Sequence, residues 1–213
     1  MQSRNNLSPR DIPRNARSTR QLATFADRHG ALLRERVQLS AATPLNPRAL
    51  ADSFGVVFMY PQDVDGMTME DLLFVTGLDA KTWSGMSLAL PGSGALVMLN
   101  PQQTQQRANV TIVEEVAHLY FGHQPSQLVT LPIGSWKRKY DPAAEGEAYW
   151  TAAAALLPAQ VVGRAVWSGR TAEDVGLEFG VSRELVEFRI KTLSLWLDYR
   201  ARQQKQNGEK VNG

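Results

Sequence analysis

Residues 110–121, VTIVEEVAHLYF, constrain this chain more than any other segment, because their spacing is that of a helix that is apolar over most of its circumference. At about 100° per residue, one polar sector remains on this helix. It holds Thr111, Glu114, Glu115 and His118. A helix as apolar as this is normally buried, so two carboxylates and an imidazole on it are costly unless a metal ion, a hydrogen-bond network or a water-filled cleft compensates. The pattern therefore indicates a functional site.

The spacing within the polar sector suggests what kind of site this is. Glu114 and His118 are four residues apart, so they lie one above the other on the helix, as two ligands of one ion must. Glu115 lies beside them and points slightly away. In the HExxH pattern of metallopeptidases, this intermediate position is the general base, which takes a proton from the water that attacks the peptide carbonyl. The pattern here is EExxH, which by itself is a weak signal that a solvated polar stripe also explains.

Composition limits the chemistry of the site. The 213-residue chain has no cysteine, so disulfides, thiolate zinc sites and thiol nucleophiles are excluded and any metal must be held by oxygen and imidazole. A hydrophobic content of 43% is ordinary for a globular domain and argues against disorder throughout. The sequence has neither the apolar segment of a signal peptide nor an apolar stretch long enough to span a membrane. We therefore expect a cytoplasmic protein with no membrane partner.

Positive charge is concentrated at the two ends of the chain. Residues 1–20 contain five arginines and one aspartate, and residues 199–213 contain four basic residues and one glutamate, although the net charge of the whole chain is only +2. We predict basic disordered tails over 1–17 and 199–213, on either side of a single domain over 18–198. Weak contact of these tails with nucleic acid is the alternative to solvated disorder.

Strand-like segments precede helical ones along the domain. From about Thr104 to Gln203 the pattern is helical, whereas four short segments before it are rich in β-branched and aromatic residues and bounded by turn residues. These strand candidates are residues 56–60, 72–76, 84–90 and 95–99. The order predicts an α+β fold, in which a small antiparallel sheet of three to four strands packs against a helical bundle.

Several further segments are informative when they are taken together. They are NPRALADSFGV at 46–56, WSG at 83–85, ALVMLNP at 95–101, LYFGH at 119–123, EGEAYWTAAAALLP at 145–158 and LEFGVSRELVEFRIKTL at 177–193. In this order, and over about residues 46–195, the chain resembles the ImmA/IrrE family of metallo-endopeptidases. The resemblance implies a metallopeptidase-like domain in a bacterial or phage-borne protein. It also implies a protein partner, since relatives cleave or sequester helix-turn-helix repressors.

The resemblance assigns roles to individual residues. Glu114 and His118 match the two ligand positions on the helix, Glu115 matches the general base, and Glu147 matches the third ligand. Glu145 is the rival of Glu147, and because two residues on a helix are about 200° apart, only one of them can face the site. We choose Glu147 because an alanine follows it directly, as in the family motif.

This chain departs from the family at Glu114, where the family has its first histidine. The implied ligand set therefore has one imidazole and two carboxylates. Zinc remains the expected ion, with manganese, iron or magnesium as alternatives, because carboxylate-rich sets favour harder cations. A more anionic set also polarises an attacking water less, so slower hydrolysis is expected. The alternative is a site without metal, in a catalytically inactive relative that serves as a protein-binding regulatory module.

Two other features bear on the function. His123, five residues after His118, is expected to form a hydrogen bond at the helix end rather than to bind metal. Residues 171–197 imitate a helix-turn-helix, with Arg183 and Arg189 as candidate phosphate contacts, so a DNA-binding regulator is a further alternative. The second helix of this segment is heavily apolar, however, and we expect it to be buried in the domain. The side chains concerned are Val186, Ile190 and Leu193.

Overall fold

The structure, a computed structural model, describes residues 16–77, 83–90, 94–123, 127–130, 136–139 and 141–211. Within these ranges helices predominate beside a small sheet, which confirms the predicted α+β class. The helices are α1 (Ala16–Arg36), α2 (Pro47–Asp52), α3 (Met69–Thr76), α4 (Gln105–Phe121), α5 (Pro142–Leu156), α6 (Ala159–Trp167), α7 (Ala172–Phe179), α8 (Arg183–Thr192) and α9 (Trp196–Val211). The strands are β1 (Val56–Met59), β2 (Gly85–Ala89), β3 (Ala95–Leu99), β4 (Gln127–Thr130) and β5 (Trp136–Lys139), and a short 3-10 turn, Pro61–Asp63, follows β1.

The three strands β1, β3 and β2 form one sheet in that order, with β3 in the centre. β2 and β3 are antiparallel, with Gly85 opposite Leu99 and Ala89 opposite Ala95. β1 runs parallel to β3, so the sheet is mixed rather than wholly antiparallel. The reason is the long connection from β1 to β3, which contains α3 and β2, since only a tight turn forces neighbouring strands to be antiparallel. Alternate residues of β3 are buried, which places one face of the sheet on the core.

Residues 72–76, one of the four strand candidates, belong to helix α3 instead. The side chain of Thr68 accepts a hydrogen bond from the backbone N–H of Asp71, and the Asp71 carboxylate accepts one from the backbone N–H of Thr68. This reciprocal capping box satisfies donors that would otherwise be unpaired at a helix start. The Thr-x-x-Asp spacing thus starts a helix, although the apolar run that follows is also compatible with a buried strand.

The helical region predicted after Thr104 is interrupted by a hairpin. Residues 127–130 and 136–139 pair antiparallel as β4 and β5, so the prediction of helix throughout is wrong there. The basic segment 137–139 is part of β5. Residues 131–135, which connect the two strands, lie outside the described ranges.

At the C-terminal end, the structure is more regular than the sequence predicts. Helix α9 continues to Val211, through most of the segment 199–213 for which the composition predicts a basic disordered tail. The side-chain amide of Gln203 donates hydrogen bonds to the carbonyls of Gly169 and Arg170, so α9 packs against the end of α6. Residues 1–15 of the N-terminal tail lie outside the described ranges, and the domain boundaries stay predictions.

Helix α5 packs against both α1 and α4, and this arrangement positions the site. A Cβ added at Gly30 would lie 2.7 Å from the backbone nitrogen of Ala155, so α1 and α5 approach each other backbone to backbone. α4 also packs against α2 and β3. Side chains from these elements and from α8 form the main core, which includes Leu50, Val97, Val113, Leu156 and Ile190. The polar side chains of α4 and α5 that point away from this core therefore meet beside it.

Helix α1, at 21 residues, has the length that a membrane span requires, but its sequence is rich in charged residues. No helix in the described part of the chain is both long enough and apolar enough to cross a bilayer.

Candidate metal centre

Helix α4 carries the polar sector that the sequence predicts. Thr104 caps its N-terminus, and Gly122 ends it in the left-handed conformation, with φ of 64°. Glu114, Glu115 and His118 are half-buried, so they line an accessible side of the central part of the helix. The buried side chains around them are Val110, Ile112, Val113, Val116 and Ala117.

Three side chains from α4 and α5 converge beside this sector. Glu114, His118 and Glu145 each present one ligand atom, and these atoms lie within 4.8 Å of one another. Nε2 of His118 is 3.9 Å from Oε2 of Glu145. In the described part of the chain, this is the one group of at least three His, Asp or Glu side chains with such spacing. We call Glu114, His118 and Glu145 the EHE cluster.

The third member of the cluster is thus Glu145, the rival candidate, in place of the expected Glu147. Glu145 lies in the first turn of α5 and is half-buried, with its carboxylate toward His118. Glu147 is buried, 8% exposed, and its Oε2 lies 3.3 Å from Nε2 of His123. Two residues on a helix are about 200° apart, so the two carboxylates face different neighbours, as helical geometry requires.

Glu115 lies next to the start of β2. A Cβ added at Gly85 would lie 3.8 Å from Oε1 of Glu115 and 2.9 Å from Cγ2 of Thr111. Only glycine therefore lets this end of the strand approach α4 so closely. The sequence contains no local signal for this contact, because Gly85 and Glu115 belong to different elements.

His123 is a hydrogen-bonding residue at the end of α4, as expected. Its backbone N–H donates to the carbonyl of His118, 2.9 Å away, and the N–H of Gly122 donates to the carbonyl of Leu119. These two bonds are the Schellman pattern of a helix end, and they turn the chain back toward the last turn of α4. The ring of His123 consequently reaches His118, and the two Nδ1 atoms are 3.0 Å apart.

The chemistry of the EHE cluster fits a divalent cation. One imidazole and two carboxylates are ligand types that zinc, manganese and iron all accept. The three groups come from two helices that pack against each other, and none of the three is fully buried. The three side chains are partly accessible, and a catalytic metal site needs such access for water and substrate.

The segment 171–197, whose sequence resembles a helix-turn-helix, packs into the core of the domain. Val186 and Ile190 on α8 are buried and Leu193 is half-buried against the core, which confirms the expected burial of this helix. Arg189, a candidate phosphate contact, is fully buried: its Nε donates to the carbonyl of Leu157 and its Nη2 to the carboxylate of Asp27. This face of α8 is therefore not available to a DNA groove.

Comparison with known proteins identifies the family of the chain. No curated protein matches the chain. The family model described as the IrrE N-terminal-like domain, a peptidase family, matches residues 72–191, which is more than half of the chain. The matched range includes α4, α5 and all members of the EHE cluster, and it is narrower than the range of about 46–195 inferred from motifs. This chain belongs to the IrrE N-terminal-like domain family.

Proposed function

We propose that this protein is a metal-dependent endopeptidase that cleaves a protein substrate, with a helix-turn-helix repressor as the substrate class. The observation that carries the proposal is the position of Glu115, which lies on α4 beside Glu114 and His118 of the EHE cluster and next to the first residue of β2. Family membership supports a metallopeptidase-like domain. The repressor substrate rests on the family resemblance alone, and the cytoplasmic location is proposed from the sequence pattern.

In this mechanism, Glu114, His118 and Glu145 would hold the ion, for which zinc is the first candidate and manganese and iron are the alternatives. A divalent ion supplies Lewis acidity toward the peptide carbonyl and makes an attacking water more acidic. Glu115 accepts the proton of that water and delivers it to the amine that leaves. A carboxamide at this position could not accept the proton.

The edge strand β2 offers a place for the substrate backbone. Among the described strands, β2 pairs with β3 on one side and lies at the edge of the sheet on the other. An extended peptide can pair with such an edge through main-chain hydrogen bonds. Because Gly85 begins β2 beside Glu115, a peptide bound there would have its backbone close to the general base.

The test is the Glu115→Gln variant, assayed with Zn²⁺, Mn²⁺ or Fe²⁺ on purified helix-turn-helix repressors and on a peptide library, with products identified by mass spectrometry. We expect wild-type protein to cleave, and the variant to bind metal with unchanged affinity but to lose at least about 100-fold in rate, the usual contribution of a general base. Glu178→Gln, which changes a carboxylate on α7 outside the cluster, is the matched control and should keep full activity. Full activity in Glu115→Gln would refute the catalytic role.

One observation favours a second candidate function. Glu114 occupies the first ligand position, where the family has a histidine, so the cluster is more anionic than the family's set. In an inactive relative, the domain would bind its partner without cleaving it. That function predicts partner binding that is unchanged in Glu115→Gln, and no cleavage by wild-type protein with any of the three metals.

A further inference from the structure

We infer that His123 and Glu147 are positioning residues that hold the His118 ring with its Nε2 atom directed into the EHE cluster and in the form that binds metal. The inference rests on the proposed function, because orienting His118 matters only if the EHE cluster binds a metal ion. They form a chain of contacts, the His123–Glu147 relay, that runs from His118 away from the cluster into the protein interior.

The contacts of the relay are continuous. Nδ1 of His118 lies 3.0 Å from Nδ1 of His123, and Nε2 of His123 lies 3.3 Å from Oε2 of Glu147. The opposite nitrogen of His118, Nε2, is the one that faces Glu145, 3.9 Å away. The relay therefore contacts the side of the His118 ring that points away from Glu145.

The chemistry of the end groups fixes the direction of each hydrogen bond. An ionised carboxylate only accepts, so Nε2 of His123 must donate to Glu147. In a neutral His123, Nδ1 is then an acceptor, and Nδ1 of His118 must donate to it. A neutral His118 with its proton on Nδ1 has its lone pair on Nε2, which is the form that a metal needs. The Glu147 carboxylate thus selects the tautomer of His118 through one intervening imidazole.

Burial and stacking hold the relay in place. The side chains of His123 and Glu147 are only 11% and 10% exposed, so water does not readily replace either contact. The ring of His123 stacks on that of Phe121, with centroids 5.3 Å apart. Gly122 supplies the left-handed turn that brings His123 back to His118. These features orient a ring that, on a continuing helix, would lie about 140° away from His118.

The first experiment reads the tautomers directly. The chain has three histidines, so ¹⁵N-histidine labelling and long-range ¹H–¹⁵N spectra of the metal-free protein should resolve each ring. We expect His118 to carry its proton on Nδ1 and His123 on Nε2. In Glu147→Met, which keeps the length of the side chain but removes the acceptor, we expect both rings to become tautomer mixtures. His29, whose Nδ1 bonds the hydroxyl of Tyr120, should be unchanged and is the internal reference.

The second experiment measures binding of the metal alone. Zn²⁺ affinity, by competition with a chromophoric chelator, should fall about 10- to 100-fold in Glu147→Met, the usual effect of removing a group that orients a metal ligand. Glu147→Gln keeps an oxygen that can accept from His123, so it should restore most of the affinity and the wild-type tautomers. Glu178→Met is the matched control on α7 and should bind as the wild type does, whereas Glu145→Met should lose binding. Circular dichroism of the metal-free proteins checks that each variant is folded.

The outcomes separate this inference from the proposed function. If wild-type protein binds metal and Glu147→Met binds it equally well with unchanged tautomers, the relay is overturned and the metal site stands. If wild-type protein binds no Zn²⁺, Mn²⁺ or Fe²⁺, both the relay and the proposed metal-dependent function are overturned. Should Glu147→Met fail to fold, His123→Phe keeps the ring stacked on Phe121 and removes the acceptor of His118. The same loss of affinity is expected there, and unchanged affinity would refute the relay.

Discussion

Glu114 sets the charge of the EHE cluster, and exchanging it for histidine tests what that charge does. With two imidazoles and one carboxylate, the cluster is less anionic, so a bound ion polarises water more strongly and the preference moves toward zinc. We therefore predict that Glu114→His keeps or raises peptidase activity and increases the affinity for Zn²⁺ relative to Mn²⁺. Steady-state kinetics and metal competition measure the two effects. Loss of activity in a variant that still binds zinc would show that the carboxylate itself is required.

Gly122 illustrates how one backbone angle supports the site. Its φ of 64° is disfavoured for a residue with a Cβ, although an added Cβ would meet no atom within 4 Å. We predict that Gly122→Ala lowers the free energy of unfolding by about 1–2 kcal/mol, through backbone strain alone. It should also weaken Zn²⁺ binding, because His123 follows the turn. Denaturant unfolding and chelator competition measure these effects.

A substitution at Gly163 is the control, because its effect on the free energy of unfolding should be opposite to that of Gly122→Ala. Gly163 lies inside α6, and an added Cβ there also meets no atom within 4 Å, but its backbone is helical. Gly163→Ala should raise the free energy of unfolding by about 0.5–1 kcal/mol, because alanine loses less conformational freedom in a helix. Destabilisation by both substitutions would mean that strain at Gly122 is not the cause.

At the scale of elements, α1 and α5 are in backbone contact at Gly30. At Gly30, an added Cβ would lie 2.7 Å from the nitrogen of Ala155 and 2.8 Å from the carbonyl carbon of Ala154, both backbone atoms that cannot move aside cheaply. We predict that Gly30→Ala lowers the free energy of unfolding by about 1–3 kcal/mol, as overpacking does. Denaturant unfolding checks this, and a change of less than about 0.5 kcal/mol would contradict it.

At the scale of the whole molecule, Arg189 joins three helices. It extends from α8, donates to the carbonyl of Leu157 after α5, and pairs with Asp27 on α1, which lies outside the residues that match the family. Burial lowers the pKa of Arg189, and Asp27 opposes this by favouring the charged form. The guanidinium is fully buried, so removing its partner leaves a charge that the interior solvates poorly.

We predict that Asp27→Ala lowers the free energy of unfolding by about 2 kcal/mol, the usual value of a hydrogen bond to a charged group. A second substitution, Arg189→Met, removes the stranded charge, so the double variant should be more stable than the sum of the two single changes indicates. A double-mutant cycle by denaturant unfolding measures this coupling. Strict additivity would show that the two side chains do not stabilise the domain as a pair.

The sequence by itself determined the features that depend on neighbours along the chain. The polar sector of α4 follows from helical periodicity, which alone places Glu114, Glu115 and His118 on one side of the helix. The helix end at Gly122 follows from the conformational freedom of glycine. The α+β class and the family follow from the order of segments. Each of these needs only local geometry or the succession of motifs.

Only the tertiary structure decided which of the two carboxylates on α5 joins the cluster. Periodicity shows that Glu145 and Glu147 point in different directions, but α5 is buried over almost its whole circumference, so its pattern does not mark the side that faces α4. Packing against α1 and α4 sets that rotation, and it turns Glu145 to His118 and Glu147 to His123. Tertiary packing also decided the approach of Gly85 to Glu115 and the parallel pairing of β1 with β3. They join residues far apart in the chain, and such contacts are set by how whole elements pack rather than by any local pattern.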